Sequence, residues 1–312
     1  MKGYLHTPVL AVEVIAYLKC RGGGIFVDAT VGEGGHTLEI LRASEQNKVI
    51  GIDHDQEILE RAQERLAGYA DRVTWIHDDF SHLPQILQAL GIEKVEGLLF
   101  DLGVSTFHFL EQGRGFSLHQ DAPLDMRMDT RGKLTASDIV NHFPLEAIEK
   151  ILRGNGEERW AKRIVKVIGK ERQQAAIGTT GQLAEFCSRA IPSKYHPRRL
   201  HPATKTFLAL RIAVNEELNK IEEVLPIAPL LLRRGGRIGV ISFHSLEDRI
   251  VKQGFKRLES TCVCPPSLPQ CVCKGREQVL QIITKRPLTP GPEELRNNPR
   301  ARSAKLRVAE RV

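Results

Sequence analysis

Apolar residues in the first hundred positions fall into short runs separated by stretches with a helical repeat. Ile25-Phe26-Val27-Asp28-Ala29 reads as a buried strand, and a glycine-rich turn leads from it into a helix marked by Leu38, Ile40 and Leu41. Lys48 to Asp53 reads as the next strand. Asp55 is placed to cap a helix that carries Ile58, Leu59, Ala62 and Leu66 on one face. Val73-Thr74-Trp75-Ile76 and Gly97-Leu98-Leu99-Phe100-Asp101 supply a third and a fourth strand. Strands alternating with helices imply an α/β fold with a parallel sheet wrapped by helices.

The alternation then breaks. Residues 106 to about 205 hold loops rich in Gly, Arg and Asp together with helical stretches, but few β-type runs. The pattern resumes with a long helix predicted from Ala203 to Leu232. Strands follow at Arg237–Ser242, Gln278–Ile283 and Ala304–Val308. The simplest organisation is one α/β domain made of residues 1–105 and 206–312, interrupted by a mainly helical insert over 106–205. Two domains in series are the alternative; the insert is preferred because strands on both sides of the gap complete one sheet.

Charge adds to this division. The net charge is +7, but residues 1–105 carry 9 basic and 16 acidic side chains, whereas 153–211 carry 13 and 4 and 285–312 carry 8 and 3. A basic middle and tail beside an acidic first segment suggest a polyanionic partner; a solvated basic surface is the plainer reading. No apolar run reaches eighteen residues, and the N-terminus lacks a signal peptide's apolar core and cleavage site, so the cytoplasm is expected. Cys262, Cys264, Cys271 and Cys273 lie close enough to supply four thiolates to zinc. Their spacing is not the stronger C-x-x-C pattern, and a reduced, proline-rich loop with no metal is the favoured reading.

In open parallel sheets ligands bind beyond the carboxyl ends of the strands, and each such end here carries chemistry. The first is followed by Asp28-Ala29-Thr30-Val31-Gly32-Glu33-Gly34-Gly35-His36, where glycine permits a tight turn and close backbone approach. The second ends in Asp53, a carboxylate able to accept two ribose hydroxyls. The third leads to Asp78-Asp79-Phe80, where an aromatic ring stands ready for adenine. Thr37 occupies the position at which the dinucleotide fingerprint wants Gly or Ala. Acidic walls suit S-adenosylmethionine, whose sulfonium and ammonium are cationic, better than a pyrophosphate. The plain alternative is that Gly32, Gly34 and Gly35 only shape a turn and Asp53 caps a helix. At the fifth strand end, Ser242 and His244 are catalytic candidates, with hydrogen-bonded scaffold as the alternative for His244. Ser245-x-x-Asp248 reads as a capping box.

These phrases, with Pro123 to Asp129, His201 to Phe207, His6 to Leu10 and Asn298 to Ser303, closely resemble the bacterial 16S ribosomal RNA cytosine-N4 methyltransferase family, known as the RsmH or MraW family, nearly end to end. The resemblance implies a class I, Rossmann-like S-adenosylmethionine-dependent methyltransferase with an inserted helical substrate-recognition domain. It implies methylation of the exocyclic N4 of cytidine 1402 in 16S rRNA, in the decoding region of the small ribosomal subunit. By motif position, Gly34, Gly35, His36, Asp53, Phe80, Asp101 and His108 would contact the cofactor. Thr106 stands where the family usually has a second serine, and His108 where many members have glutamine; both can still hydrogen-bond.

The expected reaction is in-line displacement at the methyl carbon by the cytosine amino nitrogen, whose lone pair is delocalised into the ring. An acceptor near the amino group localises that pair and takes the proton. Asp101 is the candidate acceptor, with Ser105 or Ser242 orienting the base; Asp101 serving only the cofactor's amino acid is the alternative. Arg127, Arg163, Lys205 and Arg211 are candidates for the RNA backbone, against internal ion pairing. Rival functions are a DNA amino methyltransferase, a small-molecule methyltransferase and a non-catalytic RNA-binding or ribosome-assembly factor. The first would carry an Asp/Asn/Ser-Pro-Pro-Tyr/Phe motif where Asp101-Leu102-Gly103-Val104 stands.

Overall fold

Each apolar run of the first segment forms a strand: β1 (Gly24–Asp28), β2 (Asn47–Asp53), β3 (Val73–His77) and β4 (Val95–Asp101). With β5 (Leu232–Ser242), β6 (Leu280–Ile282) and β7 (Lys305–Arg311) they make one seven-stranded sheet in the order β3-β2-β1-β4-β5-β7-β6. A computed structural model describes residues 8–312 except 106, 109–112, 119, 199, 263, 265–267, 269, 271, 273, 274 and 276. His6 and Thr7 of the N-terminal phrase, Thr106, Cys271 and Cys273 therefore lie outside the described residues.

The chain divides into two compact units, one of residues 1–103 with 218–312 and one of residues 104–217. The first holds the sheet. Its strands are apolar on both faces because helices cover both. Phe26 and Val27 are adjacent in β1, yet Phe26 packs with Ile40, Leu99, Ile241 and Leu306, and Val27 with Ile52, Leu98, Phe100 and Val240. The five strands β1 to β5 run parallel, as the sequence pattern implies. The edge differs. β7 pairs antiparallel with both β5 and β6. A helix (Ser245–Glu259) returns the chain so that β6 runs with β5, and β7 then turns back into the gap between them.

Chain order sets where the sheet can bind. It begins at β1, steps outward to β2 and β3, then crosses back to place β4 on the other side of β1. The strand order reverses between β1 and β4. At that switch point the adjacent carboxyl ends leave an opening that no crossover covers. Asp28 and Asp101 are the last residues of these two strands.

The second unit is a helical cluster. Helices at Ala136–His142, Leu145–Gly156, Ala161–Glu171, Thr180–Ala190 and Thr204–Asn215 bury Ile139, Ile148, Leu152, Ile164, Leu183 and Leu210 in one core. A side-chain carbon at Gly156 would sit 2.6 Å from the Lys205 carbonyl oxygen, so glycine lets two helices meet backbone to backbone. The long helix expected from Ala203 to Leu232 is broken. It stops at Asn215, Glu216 adopts a left-handed φ of 54°, and a second helix runs Glu217–Val224. Periodicity alone did not reveal the break, because Glu216 carries no glycine or proline signal.

The phrase Pro123 to Asp129 is a backbone knot. Met126 has φ 64°, a conformation costly for a side chain with a β-carbon. It is held from both sides by the nearly buried carboxamide of Asn215, whose Oδ1 accepts from Met128 N at 2.8 Å while Nδ2 donates to Met126 O at 2.8 Å. Removing that carboxamide strands a backbone donor and an acceptor. Asn215→Ala is expected to lose roughly 2–4 kcal/mol of stability. Denaturant unfolding checks this; a change within about 0.5 kcal/mol of wild type would mean that Met126 is held by something else.

Candidate active site

The switch point gathers charge in a dry place. Asp28 is fully buried. Its Oδ2 accepts from the Thr37 hydroxyl at 2.7 Å, and its Oδ1 from Thr30 N at 3.4 Å. Burial pushes the Asp28 carboxyl up to about 6, against the pull of His36 and the Thr37 hydroxyl. Thr37 is the residue that departs from the dinucleotide fingerprint. Its hydroxyl is the donor that a buried carboxylate at this strand end requires, a role that the motif comparison missed.

The glycine-rich turn puts His36 beside these carboxylates. Gly34 enters the helix Gly35–Ala43 with φ 76°, and a β-carbon there would meet Leu66 Cδ1 at 2.8 Å. Both the left-handed backbone and the lack of space demand glycine. His36 sits in the first helical turn, 5% exposed, with Nε2 3.5 Å from Asp101 Oδ2. Burial would lower the imidazole, but Asp101, Asp28 and Glu39 outweigh it and hold His36 above its ordinary value. Among the described residues, neither ring nitrogen of His36 has a hydrogen-bond partner, and nor does the buried Oδ1 of Asp101. Buried polar atoms are rarely left so. Thr30, not singled out from sequence, fixes Asp101 from behind: its Oγ1 accepts from Asp101 N at 2.6 Å.

Asp53 at the end of β2 ties the turn to the next helix. Its Oδ2 accepts from Gly32 N at 2.8 Å and its Oδ1 from Asp55 N at 3.0 Å. The cap of the helix Gln56–Arg65 is Asp55, as expected, and not Asp53. Beyond β3, Phe80 is buried edge-on against Phe100, with ring centroids 5.7 Å apart. Asp79 belongs to an ion-paired group: Lys220 Nζ lies 2.7 Å away, His54 Nδ1 3.6 Å away, and Ser81 N donates at 2.9 Å. Burial would raise Asp79, but these partners hold it well below the usual carboxylate range. Lys220, far away in sequence, gave no signal of this pairing.

The remaining candidates have local work. Ser242 is buried at the end of β5, next to β4, and its hydroxyl donates to Lys305 O at 3.4 Å. The capping box of the helix Ser245–Glu259 is formed by His244 and Glu247, not by Ser245 and Asp248. Ser245 is the first helical residue, and the imidazole of His244 takes the capping place that a serine one position later was expected to fill. Asp248 instead pairs with Arg307 at 2.7 Å and Lys305 at 3.4 Å.

Within the helical unit, Ser105 Oγ accepts from Phe107 N at 3.1 Å, and Ser105 O from His108 N at 3.1 Å. His108 is buried, with its ring 5.0 Å from Phe116. Arg127 forks onto Asp125 at 2.6 and 2.8 Å, and Arg211 onto Glu217 at 2.7 and 2.8 Å, which is internal ion pairing. Lys205 donates to Glu157 O at 3.0 Å. Arg163 is exposed and lies over the Trp160 ring, 5.7 Å from its centroid. Of the zinc candidates, Cys262 and Cys264 are described: Cys262 N donates to Ser260 Oγ at 3.1 Å and Cys264 N to Cys262 Sγ at 3.4 Å.

A family model described as the MraW methylase family matches residues 3–312. The chain belongs to that family. Three relatives are each named ribosomal RNA small subunit methyltransferase H. The chain is 51% identical to that of Halothermothrix orenii, over 98% of both chains. It is 48% identical to that of Symbiobacterium thermophilum, over 97% of this chain and 95% of that one. It is 46% identical to that of Clostridioides difficile, over 98% and 99%. The family's methylase chemistry fits a strand-end site whose carboxylates favour a cation.

The raised Asp28 value has a measurable consequence. The unfolded chain gives up this proton near 3.8 and the folded chain near 6. Stability from the neutral carboxyl is therefore complete below about 3.8 and lost as pH climbs through 6, by on the order of 3 kcal/mol. Asp28→Asn should remove that loss, so the stability difference between wild type and variant should grow in favour of the variant from pH 4 to about 6.5. Denaturant unfolding across that range checks it; a flat difference would show that Asp28 is ionised in the folded protein throughout.

Proposed function

We propose that this chain uses S-adenosylmethionine to methylate the exocyclic N4 of cytidine 1402 in 16S ribosomal RNA, acting in the cytoplasm on the small ribosomal subunit. The observation that carries this reading is the match at about half identity, over nearly the whole chain, to proteins named ribosomal RNA small subunit methyltransferase H. Among the described residues, no helix is long and apolar enough to cross a membrane.

The donor set at the switch point suits the cofactor. Asp28, Asp101 and Asp53 give three carboxylates at neighbouring strand ends, and Asp101 Oδ1 is buried without a partner among the described residues. A cationic ligand supplies what such acceptors lack. Gly34 and Gly35 are assigned to cofactor contact through their backbone, and His36, Asp53, Phe80, Asp101 and His108 are the side chains assigned to it. When bound, S-adenosylmethionine supplies an activated methyl group with a neutral leaving thioether.

The protein's task is then to position the cytosine amino group and accept its proton. Asp101 is the preferred acceptor, since Ser242 and His244 are engaged in the scaffold and Ser105 in its own turn. Ser105 or Ser242 is assigned to orienting the base. Positioning can supply about 7–11 kcal/mol of the barrier, so no strongly basic group is needed. Among the cations first assigned to RNA, Arg163 and Lys205 stay candidates for phosphate contact. Arg127 and Arg211 are better read as holding the substrate-recognition unit in shape. The relatives' names favour ribosomal RNA over DNA, a small-molecule substrate or a non-catalytic role.

Methyl transfer from labelled S-adenosylmethionine to purified small subunits and to naked 16S RNA, with nucleoside analysis, tests the reading. Labelled N4-methylcytidine at one position is expected. Asp101→Asn should lower kcat by about 10²–10⁴-fold if Asp101 takes the proton. A rise in KM for S-adenosylmethionine with kcat preserved would assign Asp101 to the cofactor alone. Cofactor binding without transfer to either RNA would overturn the substrate assignment.

A further inference from the structure

The helical unit carries an aromatic and cationic cluster that the reaction at the switch point does not use. Trp160 ends the turn before the helix Ala161–Glu171, and Tyr195 closes a short 3-10 turn, Ser193–Tyr195, thirty-five positions later. Their rings meet with centroids 5.1 Å apart at 41°. The Arg159 guanidinium lies 5.4 Å from the Trp160 centroid and 5.2 Å from that of Tyr195. Arg163, one helical turn on, lies 5.7 Å over Trp160, and Lys194 lies 5.0 Å over Tyr195. Three cations thus gather on two rings.

The two rings differ in a telling way. Trp160 is half-buried against the helical core, whereas Tyr195 is 43% exposed. One fixes the cluster and the other is its more exposed ring. Arg159, Arg163, Lys194 and Arg198 are all exposed, and none takes part in an ion pair among the described residues. Elsewhere in the same unit arginines are neutralised, as Arg127 is by Asp125 and Arg189 by Glu171. Guanidinium planes without an ion pair beside a partly exposed aromatic ring offer two things together: charge for a phosphodiester backbone and an aromatic edge or face for an unpaired base. A duplex hides its base faces and would use only the charge.

We propose that Tyr195, with Arg159, Trp160, Arg163, Lys194 and Arg198, forms a docking platform for a single-stranded segment of the substrate RNA, with a base stacked on Tyr195. The proposal rests on the RNA-methylation reading above and adds where, and in what form, the RNA is held. An acidic protein surface could satisfy the cations but makes no use of the exposed part of the Tyr195 ring, which is why RNA is favoured.

The test compares Tyr195→Ala, Tyr195→Phe and the double variant Arg159→Ala/Arg163→Ala with wild type. Each is titrated against a short single-stranded oligoribonucleotide and against a duplex of the same length, at several salt concentrations, and each is assayed for methyl transfer to small subunits. Melting temperatures establish that the variants are folded, and Tyr195→Phe keeps the ring where Tyr195→Ala removes it. Tyr195→Ala is expected to weaken single-strand binding roughly 5- to 100-fold with little effect on the duplex, and Tyr195→Phe to bind as wild type. The arginine double variant should flatten the salt slope for single strands by about 0.7 for each phosphate that is no longer neutralised. In methyl transfer, the KM for the subunit should rise with kcat unchanged.

Equal weakening for single strand and duplex, or none for either, would overturn the platform. So would an effect confined to whole subunits, which would place a ribosomal protein there instead. If Tyr195→Ala weakens single-strand binding but the wild type transfers no methyl group to any RNA, the platform stands and the methylation reading falls.

Discussion

The sheet places two carboxylates at the ends of adjacent buried strands, and the fold must then make that charge tolerable. A lone ionised carboxylate in a dry interior is costly, and only hydrogen bonds or opposite charge offset the cost. The surroundings of Asp28 and Asp101 follow from this constraint. Thr37 donates to Asp28, Thr30 orients the Asp101 backbone, and His36 at the start of its helix lies 3.5 Å from Asp101. The left-handed Gly34 lets the helix begin where its first turn reaches the strand ends. The settlement is incomplete, since Asp28 is driven toward its neutral form and one oxygen of Asp101 is left with no partner among the described residues. Unsatisfied acceptors in a protein interior are tolerated where a ligand completes them. The same electrostatic reasoning that explains the strain at this site also selects a cationic cofactor over a pyrophosphate.

The parallel part of the sheet was legible because burial on both faces leaves a plain record: short apolar runs such as Lys48–Asp53 and Gly97–Asp101, each ending in a carboxylate. The antiparallel edge was not, because a run such as Ala304–Val308 says that a strand exists but not which way it runs beside its neighbours. Direction there follows from the chain's path through the helix Ser245–Glu259, a three-dimensional fact. The break at Glu216 was hidden for a similar reason. Its left-handed backbone is imposed by surroundings, Asn215 being tied to Met126 and Met128, and not by an intrinsic preference of glutamate.

The same division runs through the site. Residues legible from sequence were those whose position in the pattern is itself the signal, such as Gly34, Asp53 and Asp101. Those missed act as partners: Thr30, Thr37 and Lys220 matter because of what they face across the fold, and spacing carries no trace of it. Capping shows the limit well. Ser245 and Asp248 fit a familiar pattern, yet His244 and Glu247, one position earlier, form the box. The pattern recognised the start of the helix and misassigned the side chains that make it, because an imidazole nitrogen can accept a backbone N–H as a hydroxyl does.

Arginine chemistry in the helical unit separates two roles that composition merges. A high local basic charge counts Arg127, Arg211, Arg159 and Arg163 alike. The structure sets them apart by partner: the first two fork onto carboxylates within hydrogen-bond distance, and a guanidinium so neutralised has little left for a phosphate. The other two lie over aromatic rings, which attract a cation through the ring quadrupole without cancelling its charge. A guanidinium held this way is pre-oriented and still fully charged, so less side-chain freedom is lost when a phosphate arrives. Net charge therefore counts both kinds alike, whereas the cations left for a polyanion are those that lie over rings and, among the described residues, form no ion pair.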